Sequence, residues 1–228
     1  MKNKFVFVLN LVLAVLVQVS MIWYLDCGGL WRKGLTSFGF VLLGALNLAY
    51  LIATRKKSLR FPGILTVGLI IAMFGDIVLN VNFIGGALLF AVGHIFYVIS
   101  YGQLRRFGKL DLLLSGIIFA ASALFLLLAP IFDFGDPMLK GICVGYAFVI
   151  SCMVGKAFAN AAREHTATNV LLAVGSLLFF FSDLMLVLYA FGDAPHIIDT
   201  ICVVAYYPAQ CLLAHALFWY KGKSPAKA

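Results

Sequence analysis

Eight apolar runs, each long enough to cross a lipid bilayer as a helix, constrain this chain more than any other feature. A helix rises about 1.5 Å per residue, so about 20 residues span the hydrocarbon core. The runs are Phe5–Tyr24, Gly34–Ala53, Gly63–Asn82, Phe83–Leu104, Leu112–Ile131, Met138–Asn160, Thr168–Phe191 and Ile197–Tyr220. Hydrophobic residues make up 64% of the 228 residues and charged ones 11%, against about 25% charged in soluble domains. This excludes a soluble enzyme, a disordered chain and a coiled coil. The expected fold is all-α: a polytopic membrane bundle of eight transmembrane helices. It forms a single domain over residues 1–228, with no room for a second globular unit. The first run follows Lys2 and Lys4 but offers no clean small-x-small cleavage site, so it reads as a retained helix.

The net charge of +8 does not read as a nucleic-acid signal, because the cations lie between the apolar runs and not in a basic stripe interleaved with aromatics. They report topology instead. Lys2, Lys4, Arg55, Lys56, Lys57, Arg60, Arg105, Arg106, Lys109, Lys156, Arg163, Lys221, Lys223 and Lys227 fall on one side of the membrane; only Arg32, Lys33 and Lys140 fall on the other. By the positive-inside rule both termini are expected in the cytoplasm, in a multi-pass protein of the cell's inner membrane. An even number of crossings agrees with that. The five cysteines include no CxxC pair and read as small buried hydrophobes, not as a disulfide framework.

Of the nine acidic residues, Asp26, Asp111, Asp133, Asp136, Glu164, Asp193 and Asp199 fall in loops or at helix ends, where solvation and capping explain them. Asp76 and Asp183 do not. Asp76 lies in Ile70-Ile-Ala-Met-Phe-Gly-Asp-Ile-Val-Leu-Asn80, and Asp183 in Leu177-Leu-Phe-Phe-Phe-Ser-Asp-Leu-Met-Leu186. Both read aromatic, small, Asp, aliphatic, aliphatic, Leu. This weak internal repeat, four helices apart, is parallel in the membrane and implies a 4+4 arrangement of halves about an axis along the membrane normal. That axis would bring the aspartates together, about 9 Å and about 12 Å from the outer ends of their helices by the rise per residue. An intramembrane carboxylate costs about 2.5–3.5 kcal/mol on insertion scales. No lysine or arginine is expected at matching depth to offset that. Two carboxyls sharing a cavity divide labour, one as acid and the other as base or cation stabiliser.

Other polar residues are expected near the pair as substrate-binding groups. Asn80 lies one turn beyond Asp76 on the same face. His94, Tyr97 and Tyr101 share a stripe on the fourth helix; Tyr206 and Gln210 share a face on the eighth, where Pro208 can bend the helix. A metal site is not expected: no HExxH or HxxxH occurs. Nor does any GxSxG, Walker A or GxGxxG stand in a fitting context.

Gly75-Asp-Ile-Val-Leu79, Gly93-His-Ile-Phe-Tyr97, Phe181-Ser-Asp-Leu-Met185 and Tyr206-Tyr-Pro-Ala-Gln210 together resemble the YhhN family of lysoplasmalogenases over nearly the whole chain. The resemblance implies an integral membrane hydrolase that cleaves the vinyl-ether bond of lysoplasmalogen to a fatty aldehyde and a glycerophospho-alcohol. It implies Asp76 and Asp183 as the catalytic pair, and an alkenyl lysophospholipid, water and membrane lipid as partners. Vinyl-ether hydrolysis needs one acid and one carboxylate, as in glycosidases, and no metal or organic cofactor. The alternative drawn from the residues is a proton-coupled transporter relaying protons through the same aspartates.

Overall fold

The computed structural model describes residues 4–54 and 58–222. The orientation argument's Lys2, Arg55, Lys56, Lys57, Lys223 and Lys227 lie outside the described residues. The elements are α1 (Lys4–Cys27), α2 (Leu30–Thr54), α3 (Arg60–Leu79), α4 (Phe83–Leu104), α5 (Lys109–Leu128), α6 (Pro137–Arg163), α7 (Ala167–Phe191) and α8 (Ile197–Trp219). All eight are long and apolar enough to cross a membrane, and no strand occurs among the described residues. In lipid every backbone polar group must be bonded within its own segment, which a helix does.

The ends are written locally. Asn82 caps α4, its side chain accepting from Gly85 N–H at 2.7 Å. Asp136 caps α6 ahead of Pro137, which is suited to a first helical position. Thr166 caps α7 by accepting from Asn169 N–H. α5 begins at Lys109 because the Asp111 side chain accepts from Gly108 N–H at 2.6 Å.

Sequential helices pack as neighbours, except α4 and α5, whose helices do not touch. By parity, the α1–α2, α3–α4, α5–α6 and α7–α8 connections share one end of the bundle, here called the mouth. α8 is central, packing on α1, α2, α3 and α7; α6 touches α4, α5 and α7. α5 touches α6 alone among the described residues. The interior is more polar than the rim: Asn10, Asn47, Ser37, His94, Lys156, Asn160 and Gln210 are buried, while Val15, Leu112 and Leu128 face outward. This is the pattern of helices held in lipid by interhelical hydrogen bonds as well as packing.

Two expectations are corrected. Lys33 does not precede the second helix but sits on its first turns, buried. Asp111 caps its helix as expected but is buried, not solvated, and Lys156 lies buried within α6 and not between the helices. Lys156 Nζ lies 3.0 Å from Asp111 Oδ1, and Arg163 lies 2.7 Å from Oδ2. Asp111 both caps α5 and neutralises the buried ammonium that α6 presents to it.

Candidate active site at the mouth of the bundle

Asp76 is buried on α3. Its Oδ1 faces Lys33 Nζ at 3.1 Å. Its Oδ2 accepts from Ser37 Oγ at 2.5 Å and from the Tyr207 hydroxyl at 2.9 Å. Lys33 and Ser37 are one turn apart on α2 and so share a face. The expectation that no cation lies at the depth of the aspartates is therefore wrong. A lysine near a helix end extends its stem along the helix to reach an inward partner.

Asp183 is buried on α7. The Tyr146 hydroxyl of α6 donates to its Oδ2. His94 Nε2 of α4 is 2.7 Å from that hydroxyl and 3.5 Å from the carboxylate. Asp183 Oδ1 makes no hydrogen bond among the described residues, and no lysine or arginine pairs with Asp183. The two carboxyls are held alike in topology and differently in chemistry. Each is gripped by the helix preceding its own and by one from the other half of the chain, α2 and α8 for Asp76, α6 and α4 for Asp183. One grip is cationic, and the other is a chain of hydroxyl and imidazole.

Asp76, Asp183, Lys33, Asn80, Tyr206 and Tyr207 line one cavity of about 320 Å³, with Tyr24, Tyr189 and Asp199 also in its wall. Asn80 ends α3, its amide bonded to the Asp76 backbone carbonyl at 2.8 Å. The Tyr206 hydroxyl bonds the Ala72 carbonyl at 3.3 Å. His94 is fully buried and does not line the cavity; it stands behind Asp183, against the carboxylate and the Tyr146 hydroxyl. Tyr97 and Gln210 are not at the cavity. The Tyr97 hydroxyl donates to Gln210 Oε1 at 3.0 Å in the packed core, where the pair ties α4 to α8. Sequence reasoning missed Lys33, Ser37, Tyr146 and Tyr207. The one available signal was the Lys33–Ser37 spacing, since no local pattern ties Tyr146 or Tyr207 to an aspartate on another helix.

Eight helices long and apolar enough to cross a membrane, around a cavity of about 320 Å³ that two buried carboxyls line, define a polytopic membrane protein. The YhhN family model matches residues 36–217, and the chain belongs to that family. It is also similar to the human (Homo sapiens) lysoplasmalogenase TMEM86A, 29% identical over 185 residues, covering 77% of this chain and 71% of that protein. No solved structure gives a significant match.

Proposed function

We propose that this chain, working as one eight-helix unit, is a membrane hydrolase. It cleaves the vinyl-ether bond of a lysoplasmalogen to a fatty aldehyde and a glycerophospho-alcohol. The observation that carries this reading is the single cavity faced by two carboxyls with contrasting partners. Family membership and the name of the human relative agree with it, whereas the proton-transport alternative draws no support from either.

The reaction assigns the two aspartates different work. Asp183 is the acid. Its Oδ2 is bonded to Tyr146, its Oδ1 is left for substrate, and its neighbours are proton-bearing groups. It gives a proton to the vinyl carbon remote from the ether oxygen, leaving an oxocarbenium ion. Asp76 is the carboxylate. The Lys33 ammonium and two hydroxyl donors hold it charged and fixed, where it stabilises the cation and takes a proton from the attacking water. The hemiacetal then collapses: Asp76 gives the proton it took to the departing glycerol oxygen, which leaves as the alcohol, and Asp183 takes the hemiacetal hydroxyl proton as the aldehyde forms, so both carboxyls are restored. The His94–Tyr146 chain orients the Asp183 carboxyl. Asn80 and Tyr206, in the cavity wall, contact the polar part of the lipid. The charge bias of the loops supports a cytoplasmic location for both termini in the inner membrane, with the mouth on the opposite face.

The test is purified protein in detergent with a 1-alkenyl lysolipid, assayed for aldehyde. The matched 1-alkyl lipid, which has no double bond to protonate, should inhibit without being cleaved. Absence of aldehyde release by folded protein overturns the proposal.

A further inference from the structure

Asp183 borders three openings, not one. Besides the polar cavity, an apolar cleft between α5, α6 and α7 reaches it, lined among others by Ser122, Phe125, Ala147, Phe180 and Leu184. A smaller cleft between α4, α6 and α7 reaches it past Ala87. Tyr146 and Cys143 line both. The first cleft measures about 50 Å³ and the second about 20 Å³. The larger one lies at a loosely packed seam, because α5 packs closely on α6 but not on α7. A side chain at that seam looks into lipid on one side and at the Asp183 carboxyl on the other.

We propose that the α5–α6–α7 cleft holds the first carbons of the substrate's hydrocarbon chain, which enters sideways from the bilayer. Asp183 then stands where an apolar chain arm meets a polar head-group arm. This rests on the vinyl-ether reading above and deepens it. A lysolipid is apolar up to its ether linkage and polar beyond it, and the two arms change character at the same carboxyl. The apolar arm ends at Asp183 and the polar arm continues past Asp76 to Asn80 and Asp199. The scissile bond is thereby positioned by the lipid's own amphipathy. The cleft is too small for a whole chain, so the remainder stays in the membrane. The products part by the same division: aldehyde back along the seam, glycerophospho-alcohol out through the mouth.

Two experiments decide this. Ser122→Phe and Ala147→Phe should raise KM for a long-chain 1-alkenyl lysolipid on the order of tenfold or more. They should leave kcat/KM unchanged for a short-chain water-soluble analogue. Ala87→Phe, in the smaller cleft, should change neither. Equal losses on both substrates, or the long-chain effect appearing with Ala87→Phe instead, overturn the assignment. Because a filled cleft can misfold, the second experiment uses unmodified protein. A 1-alkyl lysolipid carrying a diazirine next to the ether should label Ser122, Phe125, Ala147 or Leu184, and excess substrate should suppress the labelling. Labelling around Ala87, or uncompeted labelling over all lipid-facing helices, overturns the proposal. If the protein proves inactive on vinyl ethers, the function fails on its own assay, while the photolabel still reports whether the cleft holds a chain.

Discussion

At the scale of single residues the account turns on partners. Asp183→Asn removes the proposed proton source and should lower kcat about 10²–10⁴-fold, the usual contribution of general acid–base catalysis. Asp76→Asn should do likewise, and the double variant should be no worse than either single, since the two act as one unit. Steady-state rates on protein that elutes as the wild type does will check this. Lys33→Met separates charge from packing. It keeps the apolar stem and leaves Asp76 with only its two hydroxyl donors, so kcat should fall with KM little changed. An unchanged kcat would remove Lys33 from the machinery. The Asp111–Lys156–Arg163 cluster has no part in the cavity, so Asp111→Asn should leave turnover per folded molecule intact. It strands the fully buried Lys156 and should destabilise the fold by about 3–5 kcal/mol, read from chemical denaturation in detergent.

At the scale of helices, close approach and the loss of side chains set the packing. A Cβ on Gly86 of α4 would lie 2.5 Å from the Leu79 backbone at the end of α3. Backbone cannot swing aside as a flexible side chain can. Gly86→Ala should therefore cost about 1–3 kcal/mol, seen as a lower melting temperature. An unchanged melting temperature would mean that the α3–α4 turn relaxes freely. The helices themselves were legible in the sequence, because a run of apolar residues long enough to cross lipid has few other ways to fold. Their ends were not. The charged Arg32-Lys33 pair read as loop, and α2 in fact starts at Leu30. That shift of a few residues conceals the Asp76–Lys33 ion pair. Asp111 caps its helix as expected, but α5 begins at Lys109 and not at Leu112, so its burial against Lys156 was not seen. The aspartates stood out because their cost in lipid is local. Tyr146 and Tyr207 are ordinary in their own helices, and only the assembled bundle makes them hydrogen-bond partners. The parallel repeat remains a proposal. In its support, the α1–α2, α2–α3, α3–α4 and α2–α8 contacts recur four helices on as α5–α6, α6–α7, α7–α8 and α6–α4. The α1–α8 and α3–α8 contacts have no such counterpart, and the lack of the first leaves α5 with a single neighbour among the described residues.

At the scale of the whole molecule, the charge bias and the parity of the spans make one joint prediction. Reporters fused after Gly192 and after Ala228 should lie on opposite sides of the membrane, the first outside and the second in the cytoplasm. The same side for both would break the α7–α8 hairpin and the shared mouth with it. On the proposed reading, the arrangement as a whole gives a proton to carbon inside a membrane, with water admitted from one end and hydrocarbon from the side. An ester would need a nucleophile and an oxyanion hole, whereas an enol ether needs only a proton and a stabilised cation. The most direct measurement of that claim is turnover of a 1-alkenyl lysolipid by the purified protein in deuterated water, with the aldehyde examined by mass spectrometry. The account predicts one deuterium on the carbon next to the carbonyl, no cleavage of the 1-alkyl or 1-acyl lipids, and loss of the signal in Asp183→Asn. Aldehyde without that label, or fatty acid released from the acyl lipid, would contradict it.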